Sequence, residues 1–179
     1  AQKEVGGKVI QQGPSTATAD AQIEFINSLV AQKIDVLAIA GTDANALAPA
    51  LKRAAGQGVR VISYDSDVAK SARSVYVNQV KSDSLANQML ESMGAMIDYS
   101  GEFAILSSTP TATNQNAWVA LMKKRLASES KFAKMKLVQV AYGEESEQVN
   151  QQQALALAEA FPNLKGIIVP AGIGLPAAA

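Results

Sequence analysis

Short apolar runs alternate along this chain with longer segments whose apolar residues recur three or four positions apart. The short runs are rich in β-branched residues, and several lack the strict alternation of a strand that faces water on one side. This pattern is typical of parallel strands covered on both faces and connected by helices. We therefore predict an α/β fold with strands at residues 8–12, 35–40, 59–64, 75–77, 102–107, 137–141 and 166–169.

Capping residues indicate where the first two helices begin and end. Ser15 or Thr16 is expected to cap the first helix and Asp43 the second, because a side-chain oxygen can accept a backbone N–H of the first turn. Gly56 and Gly58 are expected to end the second helix. The apolar stripes of these two helices are Ile23, Ile26, Leu29, Val30, Leu47 and Leu51.

Three longer helical segments follow in the second half of the chain. One begins after Ser82, one has Thr113 or Asn114 as its expected N-cap, and one ends before Pro162. Their apolar stripes are Leu85, Met89, Met93 and Met96, then Trp118, Leu121, Met122 and Leu126, then Leu155, Leu157 and Ala158. We interpret the methionine stripe and Trp118 as core. Residues 1–6 and 175–179 are expected to be the tail and the first turn of two further helices.

The polar segment 78–82 is the best candidate for a boundary between two lobes, because a short strand ends there and a long helix begins. We predict a first lobe at residues 1–78 and a second lobe at residues 79–179. No stretch rich in Pro, Gly or Ser separates them. The abrupt ends of the pattern lead us to expect a fragment.

Composition argues against several classes of function. The chain has 16 basic and 16 acidic residues, so no broad field is available to hold a nucleic acid or an anionic membrane surface. It contains no His and no Cys, which removes the usual zinc ligands, the thiolate nucleophile and the most frequent general base. We expect no catalysis, no metal, no cofactor and no membrane insertion.

Residues that follow the strands are the candidate ligand contacts, because ligands of open parallel sheets bind beyond the carboxyl ends of the strands. Asp65 follows a buried strand and can accept hydrogen bonds from two hydroxyl groups, whereas Asp67 is expected to shape the turn. Asn114 and Gln115 offer donors and acceptors together, as a hydroxyl group requires. The segment 170–172 follows the last strand.

A glycine pattern at residues 172–177 keeps one alternative open. It matches a dinucleotide-binding turn that follows a strand, which would suggest a nicotinamide-dependent enzyme. The match is short, and the acidic residue that would confirm it lies about 20 residues further on, after the last residue, Ala179. A turn that starts a helix explains the same glycines.

Five segments together resemble one family. They are Gly13-Pro14-Ser15, Ala48 to Ala54, Tyr64-Asp65-Ser66-Asp67, Thr111 to Trp118, and Leu175 to Ala179. The sequence is similar over nearly its whole length to periplasmic sugar-binding proteins of ABC transporters of the ribose-binding type. Among these it resembles most the rhamnose-binding proteins and the relatives that bind a cyclic furanosyl autoinducer.

The resemblance implies two Rossmann-like lobes with parallel sheets, the periplasmic binding protein type I fold, closing on a sugar. The resemblance implies that Asp65 in lobe one binds the ring hydroxyls of the sugar. The contacts implied for lobe two are Asn114, Gln115, Pro170, Ala171 and Gly172. Compared with the family, lobe one lacks its first strand and lobe two is truncated at its C-terminal end, so unpaired strand edges and exposed apolar surface are expected.

The function implied is that of a monomeric solute-binding protein that delivers a rhamnose-like monosaccharide to an ABC permease. Its location would be the periplasm, or the outer face of a membrane as a lipoprotein. The autoinducer-binding relatives usually have Asp at the position of Asn114, which favours a neutral deoxy-sugar and leaves autoinducer binding as the alternative. A different class, the effector-binding domain of a sugar-responsive transcription repressor, shares the fold.

Overall fold

A computed structural model describes residues 6–179 and shows an α/β protein with parallel sheets in this part of the chain. The elements follow each other in βα units, apart from β2 and β3, which are joined through a short 3₁₀ helix. The elements are α1 (Ala19–Ala31), β1 (Val36–Ile39), α2 (Ala44–Gly56), β2 (Arg60–Tyr64), β3 (Val75–Val77), α3 (Ser82–Met96), β4 (Ser100–Ser107), α4 (Thr113–Ser128), β5 (Lys134–Tyr142), α5 (Glu147–Ala160), β6 (Leu164–Ile168) and α6 (Gly174–Ala178).

The first sheet contains β1, β2 and β3 in that order, and all three strands are parallel. Leu37 of β1 lies opposite Val61 of β2, so their side chains share one face of the sheet. Helices α1 and α2 cover this face with Ile26, Leu29, Leu47 and Leu51. The predicted strand at residues 8–12 is wrong: these residues form no ladder, because no strand among the described residues pairs with them.

The second sheet has the order β5-β4-β6, again with parallel strands. β4 is its central strand, and its apolar residues alternate between two cores. Phe103 and Ile105 pack with α3 and α4, whereas Ala104 and Leu106 pack with α5. All four are fully buried, which confirms the prediction of a strand covered on both faces.

The two early helices begin close to where the sequence indicated. Asp43 caps α2 by accepting the N–H groups of Asn45 and Ala46, as predicted. The cap of α1 is Thr18 rather than Ser15 or Thr16, so this helix begins later than expected. α2 ends at Gly56, and Gly58 then adopts φ +91° in the turn to β2, a conformation that glycine adopts without strain.

The later helices differ from the predictions in detail. Thr113 and Asn114 lie inside the first turn of α4, since the residue before the helix is Ala112, which offers no side-chain cap. Met93 is buried, but Met96 is 80 % exposed at the end of α3 and lies off the core face. Leu155 is also exposed, because α5 buries Ala154 and Leu157 instead.

The sequence also predicts helical residues at both ends of the chain and a boundary between lobes at residues 78–82. The helical end at residues 175–179 is confirmed as the one-turn helix α6. Of the helix tail expected at residues 1–6, residues 1–5 lie outside the described part of the chain, and Gly6 is not helical. The segment 78–82 runs from the end of β3 to the start of α3, between the two sheets. None of the described helices is long and apolar enough to cross a lipid bilayer.

Candidate ligand-binding site

A cleft of about 160 Å³ lies where the carboxyl end of the first sheet faces the start of α4. Residues that follow β2 and β3 form one wall, and the first turns of α4 form the other. The lining residues are Asp65, Asp67, Tyr76, Asn78, Gln79, Val80, Ser82, Thr113, Asn114, Ala117 and Trp118. The cleft therefore lies at the position that the strand-end rule predicts for a ligand.

Asp65 lies directly after β2 and is held in an unusual backbone conformation. Its φ is +52°, in the left-handed region that few residues other than glycine occupy. The hydroxyl of Tyr76 donates to the Asp65 carbonyl oxygen at 2.9 Å. The Asp65 carboxylate accepts a hydrogen bond of 2.7 Å from Gln79 Nε2 and one of 3.3 Å from Asn114 Nδ2. Asp65 is thus fixed at its main chain and at one carboxylate oxygen.

Asp67 stabilises the turn that follows β2. Its carboxylate accepts two hydrogen bonds of 2.7 Å from the guanidinium of Arg73, one from the Val68 N–H and one from the Ser63 hydroxyl. Burial alone would raise the pKa of Asp67, but the hydrogen bonds from Arg73, Ser63 and Val68 outweigh it, so the pKa lies below its usual value. The expectation that Asp67 shapes the turn is confirmed.

Asn114 reaches the cleft from the first turn of α4. Its Nδ2 contacts Asp65 across 49 positions of sequence, and its Oδ1 accepts the N–H of Gln115 at 2.7 Å. The contact joins a residue that follows the first sheet to a residue of a helix that packs on the second sheet. Two of the predicted ligand residues therefore lie together in one cleft.

Gln115 points away from this cleft and is buried. Its Oε1 accepts hydrogen bonds of 2.9 Å from the Ser107 hydroxyl and from the Ser108 N–H. These hydrogen bonds connect α4 to the end of β4, so Gln115 stabilises the packing of the helix on the sheet. Its role as a ligand contact stays a prediction.

The segment 170–172 follows β6 and does not line this cleft. Ala171 is buried, and its carbonyl accepts the N–H groups of Gly174 and Leu175, which begins α6. Pro170 is partly buried and Gly172 is exposed. The ligand contacts predicted for Pro170, Ala171 and Gly172 remain predictions.

The cleft combines polar groups with an apolar side. Asp65 is an acceptor and Asn114 is both donor and acceptor, while Val80, Ala117 and Trp118 contribute apolar surface. Trp118 is only 7 % exposed and also packs in the core of the second sheet, which confirms its interpretation as a core residue. Among the described residues, no group of three or more metal-ligating side chains is placed to hold a metal ion. The arrangement suits a ligand with hydroxyl groups and an apolar face.

Comparison with known proteins identifies the family. The model of the periplasmic binding protein domain matches residues 1–179. The chain belongs to this family.

Several solved structures resemble this periplasmic binding protein domain. A solute-binding protein of an ABC transporter from Clostridium phytofermentas, with bound L-rhamnose, is 40 % identical over 99 % of this chain, with a TM-score of 0.96. A solute-binding protein from Burkholderia graminis in complex with D-arabinose is 30 % identical over 93 % of the chain, with a TM-score of 0.83. LsrB from Clostridium saccharobutylicum in complex with AI-2 is 28 % identical over 99 %, with a TM-score of 0.90.

The chain spans little more than half of the length of these relatives. It covers 55 %, 56 % and 57 % of the three proteins, respectively. The resemblance drawn from the sequence motifs is confirmed for the family and for the α/β fold with parallel sheets.

Three lining residues of this domain escaped the sequence reasoning: Tyr76, Asn78 and Gln79. Tyr76 lies in β3, and Asn78 and Gln79 follow it directly. The strand-end rule that selected Asp65 would have selected Asn78 and Gln79 if it had been applied to β3. From the sequence, this segment is predicted only as a boundary between lobes.

Proposed function

We propose that the chain is part of an extracytoplasmic solute-binding protein that binds a monosaccharide between two lobes. The observation that carries the proposal is the meeting of Asp65 and Asn114 in one cleft, from opposite sides. A carboxylate and a carboxamide facing each other can share the hydroxyl groups of one sugar ring. The structural relatives with bound L-rhamnose and D-arabinose support this choice.

Binding would proceed by closure of one lobe on the other. The lobes are residues 1–78 and 79–179, and sugar bound to Asp65 would recruit Asn114 and stabilise the closed form. Gln115, Pro170, Ala171 and Gly172 would complete the contacts from the second lobe. No bond is made or broken, so the protein is not an enzyme in this proposal.

A rhamnose-like sugar is the ligand that we favour. The relative with bound L-rhamnose is 40 % identical to this chain. The apolar side of the cleft, formed by Val80, Ala117 and Trp118, offers a surface on which the methyl group of a 6-deoxy sugar can pack. The second candidate ligand is AI-2, which the LsrB relative binds at 28 % identity.

The partner of the closed form would be an ABC permease, and the protein would act as a monomer in the periplasm or as a lipoprotein. The alternative of another class is the effector-binding domain of a repressor. The gene sequence upstream of residue 1 distinguishes the two: a signal peptide supports transport, whereas a helix-turn-helix segment supports repression.

The proposal is tested by titration calorimetry of the full-length protein with L-rhamnose, D-arabinose and AI-2. Asp65→Ala should weaken sugar binding by about 2 to 4 kcal/mol, roughly thirty- to a thousand-fold, because one or two charge-assisted hydrogen bonds are lost. Asp20→Ala, which changes an exposed aspartate on α1, is the matched control and should leave the affinity unchanged.

Two outcomes would contradict the proposal. A change below about threefold on Asp65→Ala would reduce Asp65 to a turn residue. Absence of both heat and thermal stabilisation with every sugar would reject sugar binding itself, since a ligand at 100 times its dissociation constant adds about 2.7 kcal/mol to the free energy of unfolding.

A further inference from the structure

Two hydrogen bonds orient the Asp65 carboxylate. The one from the segment between the two sheets is shorter than the one from α4. Gln79 Nε2 donates to Asp65 Oδ1 at 2.7 Å, which is at the short end for an N–H to oxygen hydrogen bond. The bond from Asn114 Nδ2 to the same oxygen is 3.3 Å long and therefore weaker. Gln79 is thus the principal partner of this carboxylate among the described residues.

The main chain of Asp65 is held from β3, the strand that directly precedes this segment. The Tyr76 hydroxyl donates to the Asp65 carbonyl oxygen at 2.9 Å and supports a backbone with φ +52°. Burial and the negative charges of Asp67 and Asp65 raise the pKa of Tyr76, so its hydroxyl keeps the proton that this bond needs. Tyr76 and Gln79, three positions apart, fix both the backbone and the side chain of Asp65.

The geometry leaves the second carboxylate oxygen available. The hydrogen bonds to the Asp65 side chain, within the described part of the protein, both end on Oδ1. Oδ2 can therefore accept a hydrogen bond from a hydroxyl group of a ligand while Oδ1 keeps its hydrogen bond from Gln79. A carboxylate that is oriented before the ligand arrives loses less conformational freedom on binding.

We propose that Gln79 is a positioning residue, which presents the Asp65 carboxylate to the ligand through its hydrogen bond to Oδ1. The inference rests on the proposed function, because it assigns to Gln79 the orientation of the group that binds the sugar. It also connects the segment 78–82, which runs between the two sheets, directly to the ligand contact.

The first test removes the donor. Gln79→Leu in the full-length protein keeps a side chain of similar size, and binding of L-rhamnose at neutral pH should weaken by about 3- to 10-fold, as expected for loss of one hydrogen bond to a charged group. The matched control is Gln88→Leu, since Gln88 is an exposed residue of α3 whose amide donates to Ser92 outside the cleft. Without sugar, both variants should unfold at a temperature close to that of the wild type.

The second test distinguishes positioning of Asp65 from a merely structural role. Gln79→Glu places a second carboxylate beside Asp65, so that binding of L-rhamnose near neutral pH should fall by at least about 10-fold. The effect of Gln79 is also measured in a protein that lacks the Asp65 carboxylate. If Gln79 acts through this carboxylate, adding Gln79→Leu to Asp65→Ala should change the affinity for L-rhamnose by less than about twofold. A general structural effect of Gln79 would weaken binding about equally in both backgrounds.

The outcomes separate this inference from the proposed function. If the wild type binds L-rhamnose and Gln79→Leu binds it within twofold of the wild type, the inference is overturned and the proposed function stands. A loss on Gln79→Leu that is as large in the Asp65→Ala background as in the wild type would also overturn it. If the wild type binds neither L-rhamnose, D-arabinose nor AI-2, the proposed function fails and the inference fails with it.

Discussion

The two sheets of this protein are built from similar apolar strands but are covered differently. In the second sheet, successive residues of β4 pack into two separate cores, with Phe103 and Ile105 on one side and Ala104 and Leu106 on the other. In the first sheet, the described helices cover the face that carries Leu37 and Val61, and no described element packs a core on the other face. The opposite face, which we call the open face, consists of Val36, Ala38, Arg60, Ile62, Tyr64, Val75 and Val77.

The difference shows that the sequence of a strand does not fix how many of its faces are buried. Val36, Val75 and Val77 are 48 %, 51 % and 55 % exposed, although valine is as apolar as the buried residues of β4. This is the exposed apolar surface that the sequence led us to expect. The first sheet relies in addition on a polar contact, the ion pair of Asp67 with Arg73 beyond β2.

The largest expected effect concerns the doubly covered strand. Phe103→Ala should lower the free energy of unfolding by about 3 to 5 kcal/mol, because it removes a fully buried ring and leaves a cavity between β4 and the helices packed on it. Urea unfolding of the 179-residue chain measures this loss. A loss below about 1 kcal/mol would mean that this core is loosely packed.

The second prediction concerns the ion pair of the first sheet. Arg73→Met should destabilise the protein by about 1 to 3 kcal/mol near pH 7, because it leaves the partly buried Asp67 carboxylate without its guanidinium partner. The folded pKa of Asp67 is lowered, so its stabilising contribution is complete above the ordinary aspartate pKa of about 3.9 and is lost as the pH falls through the lowered value. The difference between wild type and Arg73→Met should therefore shrink in acid.

Chemical unfolding of both proteins near pH 7 and near pH 3 checks this prediction. Arg60→Met, which alters an exposed arginine of β2 on the open face, is the control and should have little effect at either pH. A difference between wild type and Arg73→Met that stays constant into acid would contradict the role assigned to the Asp67 charge.

The smallest effect is expected on the open face. Val75→Thr keeps the β-branched shape, and it should change the free energy of unfolding of the 179-residue chain by less than about 0.5 kcal/mol, as is usual for exposed positions. The same substitution in a longer form of the protein tests whether the open face is also exposed there. A loss above about 1.5 kcal/mol there would mean that residues outside this chain cover the open face.

Much of the fold follows from local sequence signals. The strands β1 to β6 and the longer helices were predicted, and Asp43, Gly56 and Gly58 marked the limits of α2 as expected. The strand at residues 8–12 was not formed, because a strand needs a hydrogen-bonded neighbour and its own sequence cannot supply one. Leu155 and Met96 were assigned to core faces that the packing of their helices leaves exposed.

The candidate site was predicted only in part. Asp65 and Asn114 were selected because each lies beyond the carboxyl end of a strand, and both line the cleft. The sequence could not show that Gln115 turns inward to Ser107 and Ser108, since the direction of a side chain in the first turn of a helix depends on how that helix is seated. It also gave no sign that Gln79 reaches Asp65, 14 positions away.

The sequence by itself determined the α/β class, the parallel strands and the acidic strand end at Asp65, because these depend on residue type and short spacing. Only the tertiary structure decided which strand faces are covered and which oxygen of Asp65 is occupied. These features depend on contacts between residues that are distant in sequence, such as Asn114 with Asp65. Such contacts form only when the helices and strands are packed together.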